Sequence, residues 1–299
     1  FVMVSCKFFA ILLVVSAGQL HTEEVDFHGG FSMIQRQQRQ VLVERPKPWD
    51  LHRYVLANFH KAGVHLTAGI FFSIFGALGV PLTSVGNVVY PCSLVNTCFG
   101  SDAPVRQMTD SYNASYAQQE RKEKNRAPMY TAVSVRDPLV MVASAYCYHR
   151  DGHEPLNKLV PEKELHGLGF ADGAQFTADR ILPFIQDMVE SLDDPANKTH
   201  ALSFERLTES SESFDKEVQD FVDFMFPDDL ITEDERQQAL KAATAFDARR
   251  NPSAMEMRHS NSKDCERKAL AASSQMTPGM LRTLHELREK LGYHGSPSI

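Results

Sequence analysis

The 299-residue chain has no surplus of positive charge: 31 Lys and Arg stand against 38 Asp and Glu, a formal net charge of −7. A general nucleic-acid binder leaves a basic footprint, so that class is set aside, and any anion site must be a local positive pocket in an acidic protein. No uninterrupted apolar run approaches the roughly 20 residues that a membrane-crossing helix needs. Cysteine is sparse, with 5 residues, and no cysteine pair is matched by a second pair at metal-ligand spacing. No metal site is expected on that ground. Also missing is Gly-Lys-Ser/Thr, the sequence that opens the helix after a Walker A loop. Its absence argues against a kinase or ATPase of that class. There is no internal repeat.

What is present is ordinary for a globular protein: 43% hydrophobic and 23% charged residues, with length enough for one large α/β domain or two small ones. Residues 1–18 read as a secretory signal peptide or a short anchor. Lys7 supplies the positive flank, Phe8 to Val15 the apolar core, and Val15-Ser16-Ala17 the small-residue cleavage site. A membrane is a partner only if this segment stays as an anchor. Residues 19–48 are polar, with Gln35 to Gln40 reading QRQQRQ, and suit a stem or tail. A folded domain is expected over 49–295. Asn113-Ala114-Ser115 and Asn197-Lys198-Thr199 are glycosylation acceptor triplets, in keeping with a lumenal glycoprotein. Removal of the leader takes Cys6 and leaves Cys92, Cys98, Cys147 and Cys265, an even number; Cys92 and Cys98 bracket a short loop and are placed to pair.

The first informative stretch is Tyr54 to Leu66, YVLANFHKAGVHL. Tyr54 to Ala57 with Phe59 suit an interior strand of a parallel sheet. Gly63 allows a tight turn, and Leu66 to Leu78 have the apolar content of a helix packed on that sheet. A strand, loop and helix in this order aim backbone N–H groups and the positive helix end at one point, and Lys61 adds a full charge beside it. The second stretch is Tyr130 to Arg150. Tyr130 to Val135 form a β-branched apolar strand, Asp137 caps the following helix and Pro138 suits its first turn. Arg136 therefore sits at the C-terminal lip of a parallel strand, where open α/β sheets bind ligands. Ser144 follows two turns into the helix, within reach of the same phosphate, and the planar guanidinium suits phosphate oxygens.

Together these residues resemble the sulfotransferase family. Lys61-x-Gly63 is similar to that family's nucleotide-binding loop. Arg136-x-Pro138 followed by Ser144 matches its 3′-phosphate motif in spacing and order, and Leu202 to Leu207 (LSFERL) resemble a third segment at a strand end. The resemblance spans roughly residues 52–292. It implies an α/β fold with a central parallel sheet flanked by helices, of the P-loop NTPase-like sulfotransferase kind. It also implies 3′-phosphoadenosine-5′-phosphosulfate (PAPS) as sulfuryl donor, with PAP as product. By position, Lys61 would contact the 5′-phosphate and stabilise the leaving oxygen, and Ala62, Gly63, Val64, His65 and Leu66 would wrap that phosphate. Arg136 and Ser144 would hold the 3′-phosphate, with Phe204 near the adenine. The loop departs from the family at Ala62, Val64 and His65, where hydroxyl residues are usual, so three phosphate contacts are lost. The family's C-terminal Gly-rich segment has no clear match; Arg258, Lys263, Arg267 and Lys268 are the basic residues available in its place.

A base is needed near a hydroxyl acceptor. His149 is the chosen candidate, with His60, His65, His153 and Glu154 as alternatives. Residues 101–128 read as a solvated helix and loop, and Ser84 to Tyr90 as a second strand. Phe214–Phe226, Thr177–Leu192, Glu233–Ala245 and Thr277–Leu291 have helical periodicity. The expected function is transfer of a sulfuryl group from PAPS to a hydroxyl or amine. The acceptor would be a glycan or secreted molecule met in the Golgi lumen or outside the cell. A non-catalytic nucleotide binder on the same fold and a P-loop kinase are the alternatives.

Overall fold

The computed structural model describes residues 45–89, 100, 102–122, 127–153, 159–193, 198–227, 229–252 and 261–297. The leader, most of the stem, the Cys92–Cys98 pairing, Glu154, Asn197 and Arg258 lie outside the described residues. The described part forms one compact unit from Arg45 onward. Residues 45–48, expected as the end of a stem, belong to this unit.

In chain order the elements are α1 (Pro48–Leu51), β1 (Arg53–Asn58), α2 (Val64–Ala77), β2 (Val85–Val89), β3 (Val105–Thr109), α3 (Ala114–Lys122), β4 (Met129–Val135) and α4 (Pro138–Arg150). They continue with α5 (Glu162–Leu165), α6 (Phe170–Asp193), β5 (Lys198–Ser203), α7 (Phe204–Glu209), α8 (Ser211–Met225), α9 (Glu233–Ala243), α10 (Lys263–Ala272) and α11 (Pro278–Lys290). The strands make one parallel sheet in the order β2-β3-β1-β4-β5. After β1 the chain travels to β2 at one edge; after β4 it travels to β5 at the other. The two central neighbours thus send their following loops to opposite sides, and their C-terminal ends are the place where such sheets bind ligands.

The alternation of side chains along a strand divides the core in two. Val55 and Ala57 of β1, with Val133 and Val135 of β4, pack against α4, α6, α10 and α11. Tyr54 and Leu56, with Tyr130 and Ala132, pack against α2, α8 and α9. Both faces of β1 and β4 are covered, which is why these strands read as continuous apolar runs. Helix α4 is buried all round from Pro138 to His149, and its sequence is correspondingly apolar on every side. Cys147 of α4 is joined by a disulfide to Cys265 of α10. Among the described residues no helix is long and apolar enough to cross a membrane.

The reading of residues 101–128 as solvated helix and loop is corrected in part. Strand β3 lies within it, central in the sheet, with all its residues buried. Its polar members are paired rather than solvated. Arg106 bonds to the Tyr116 hydroxyl and lies over that ring, and the Gln107 amide donates to Thr109 Oγ1 at 2.9 Å. Helix α2 begins at Val64, ahead of the expected Leu66, and α6 begins at Phe170, ahead of Thr177. The Thr277 side chain makes no capping bond to α11.

Candidate functional site

The loop between β1 and α2 carries two left-handed residues, Lys61 (φ 65°) and Gly63 (φ 87°). At Lys61 this conformation is uncommon for a residue with a Cβ, and such local strain gathers at sites where a ligand is handled. Gly63 is required twice over: its φ suits glycine, and a Cβ there would stand 2.4 Å from Cδ2 of Phe204. Ala62 is fully buried. Val64, His65 and Leu66 form the first turn of α2, whose N–H groups an α-helix does not use in its own ladder.

Arg136 ends β4 and crosses to this loop. Its Nη1 donates to the Lys61 carbonyl at 3.0 Å and to Ser144 Oγ at 3.2 Å. The guanidinium lies over the Phe204 ring, 4.4 Å from its centroid. Its Nε is buried with no hydrogen-bond partner. Burial lowers the proton affinity of the guanidinium, and the carboxylates of Glu266, Glu205 and Asp137 oppose that. Asp137 caps α4 by accepting from the Leu139 N–H at 2.9 Å, as its position before Pro138 predicts. It also forms a buried ion pair with Arg288 at 2.8 Å, while its own N–H donates to Glu205 Oε1 at 3.0 Å. The Tyr293 hydroxyl donates to Glu205 Oε2 at 2.6 Å. The lip of β4 is thereby pinned from α7 and α11.

Ser144 Oγ accepts a second bond, from Asn261 Nδ2 at 2.9 Å. The same nitrogen donates to the Ser144 carbonyl at 2.8 Å and to Glu266 Oε1 at 2.7 Å. Of the basic residues named as substitutes, Lys263, Arg267 and Lys268 are among the described residues. All three are exposed, and the last two pair with Asp264 on the outer face of α10.

Lys61 Nζ rests 3.4 Å from the centroid of the Tyr148 ring, a cation–π contact. Beside it His60 and His149 stack with ring centroids 5.0 Å apart and share an Nε2···Nε2 hydrogen bond of 2.8 Å. One ring must donate and the other accept, so the pair carries one bridging proton. The His60 N–H donates to Asp110 Oδ1 at 2.7 Å, and Asp110 Oδ2 lies 3.9 Å from His60 Nδ1. Burial holds the proton affinity of His60 well below the ordinary histidine value, with repulsion from His149 and Lys61 adding to it. His153 stands four residues after His149, but Gly152 at φ 74° turns the chain away from the helix and His153 stacks on Tyr148 instead. Among the described residues no group of three or more His, Cys, Asp or Glu is arranged to hold a metal ion.

The residues predicted from sequence thus form one network: Lys61 and Gly63 in the loop, Arg136 and Ser144 across from them, and Phe204 packed on both sides. His149 adjoins it through His60. Sequence reasoning missed Asp110, Asn261 and Glu266, which no motif marks, and passed over Tyr148 within the Tyr130 to Arg150 stretch. It passed over Glu205 within a segment it had singled out. No family model matches the chain, and no curated protein is significantly similar to it.

Proposed function

We propose that the chain is a sulfotransferase that moves a sulfuryl group from PAPS to a hydroxyl or amine, on a P-loop-like α/β fold. The observation that carries this reading is the hydrogen-bonded meeting of Arg136 with the Lys61 carbonyl and Ser144 Oγ, at the ends of adjacent strands β1 and β4. Lys61, the N-terminal turn of α2, Arg136 and Ser144 are the donor-binding groups. In the reaction an acceptor oxygen or nitrogen bonds to sulfur, the bond from sulfur to the 5′-phosphate oxygen breaks, and PAP leaves. Lys61 offsets the charge growing on that oxygen. The acceptor proton passes to His149, whose partner His60 shares the one bridging proton with it.

The buried Cys147–Cys265 disulfide supports an oxidising compartment, the Golgi lumen or the exterior, where glycans and secreted molecules are the acceptors. The test is transfer of label from sulfur-labelled PAPS to a panel of desulfated glycans and hydroxyl acceptors. Wild-type protein is expected to label an acceptor, and Lys61→Ala to lose most of that rate. A second reading, a nucleotide binder without turnover, is favoured by one feature. The loop lacks hydroxyls at Ala62, Val64 and His65, and the nearby Thr67 hydroxyl is committed to Asn58 Oδ1 at 2.7 Å. PAP binding with no transfer to any acceptor would select that reading.

A further inference from the structure

The anion site proposed above has a carboxylate built into it. Glu266 is buried, 8% exposed, on the inner face of α10. A short chain of bonds leads from it to the guanidinium: Glu266 Oε1 accepts from Asn261 Nδ2 at 2.7 Å, Asn261 Nδ2 donates to Ser144 Oγ at 2.9 Å, and Ser144 Oγ accepts from Arg136 Nη1 at 3.2 Å. The groups able to donate in this chain of bonds are Arg136, the Ser144 hydroxyl and the Asn261 amide, and that one amide nitrogen binds both the serine and the carboxylate. The arrangement is fixed in place covalently. Cys265 immediately precedes Glu266, and Cys147 lies about one turn beyond Ser144 in α4, so the disulfide holds the two faces together. The basic side chains of α10, Arg267 and Lys268, point the other way and pair with Asp264.

We propose that Glu266 is a specificity-determining residue of this site, an internal counter-ion to Arg136 that competes with the 3′-phosphate of the donor and limits how tightly that group is held. This rests on the donor-site reading given above. Two charges of one sign a few ångströms apart, away from water, repel far more than the same charges on the surface. A 3′-phosphate at Arg136 and Ser144 would meet that repulsion from Glu266, while Glu266 also offsets part of the attraction of Arg136. A ligand without the 3′-phosphate would not feel either effect. Glu266 therefore lowers the preference for PAP over AMP, which differs from it by that phosphate alone.

The substitution Glu266→Gln removes the charge and keeps a carbonyl oxygen to accept from Asn261. Equilibrium titrations of PAP and AMP against wild-type and Glu266→Gln protein, disulfide intact, test the proposal. The variant is expected to bind PAP about tenfold more tightly, an order set by removing one near charge at an intermediate dielectric, with AMP affinity unchanged. Glu266→Ala, which also removes the bond to Asn261, should raise the PAP to AMP preference in the same direction by a smaller factor. PAP binding to wild type with the same PAP to AMP ratio in both variants would overturn the role of Glu266 and leave the donor site standing. No PAP binding by any of the three proteins would overturn both.

Discussion

Gly63 joins the two halves of the site, since its bare Cα is what lets Phe204 lie against the loop and under the Arg136 guanidinium. Gly63→Ala must both hold a positive φ with a Cβ and push back the Phe204 ring, so a loss of about 1–3 kcal/mol is expected. Urea unfolding measures it; an unchanged midpoint would show that the contact yields freely. The buried histidines set a pH dependence. The unfolded chain takes up a proton on His60 as pH falls through 6.5, whereas the folded chain resists until well below that value. The unfolded state then binds more protons, so stability falls as pH drops from about 7 to 5, by at most about 1.4 kcal/mol per pH unit for each such group. His52 and His200, also lowered by burial, act in the same direction. The variant His60→Asn should give a flatter plot of melting temperature against pH over that range. An equally steep plot would assign the slope to other groups. Lys61, Arg136 and Phe204 could be picked out from the sequence because each adjoins a strand end or a marked helix start, and Ser144 because it lies two turns into the helix that Asp137 and Pro138 mark. Asn261 and Glu266 could not, because their meeting with Ser144 is made only by the tertiary fold.

Strands β1 and β4 were legible as elements because both faces are covered and their sequences show it. Strand β3 is equally buried but was hidden by Arg106 and Gln107, whose partners Tyr116 and Thr109 satisfy them inside the protein. Polarity in a sequence is not exposure when the polar groups are paired. The cysteine count allowed disulfides without saying which residues pair, and the Cys147–Cys265 bond spans 118 residues of sequence. Closing so long a loop restrains the unfolded chain, and the double variant Cys147→Ser/Cys265→Ser is expected to lose about 2–4 kcal/mol in guanidinium unfolding. The wild-type protein with its disulfide reduced should fall to the same value. A variant as stable as wild type would mean that α4 and α10 are held by packing alone.

At the scale of the molecule, a chain of net charge −7 binds a polyanion only if its few site cations are concentrated and sheltered. The parallel sheet does this by placing the Lys61 loop and Arg136 at the ends of adjacent strands. Helix α2 adds its N-terminus, and Phe204 and Tyr148 stack on the two cations. The order β2-β3-β1-β4-β5 and the parallel sense of every pair are properties of the whole chain that no single motif states. The measurement that bears most directly on this account is the melting temperature of the protein with and without PAP, in wild type and in Arg136→Ala. At a PAP concentration about 100 times its dissociation constant, linkage adds about 2.7 kcal/mol. That corresponds to a rise of about 5–10 °C for a domain of this size. The account predicts that rise in wild type and its loss in Arg136→Ala, judged by the ligand-induced shift rather than by either protein's starting value. No shift in wild type at millimolar PAP would contradict it.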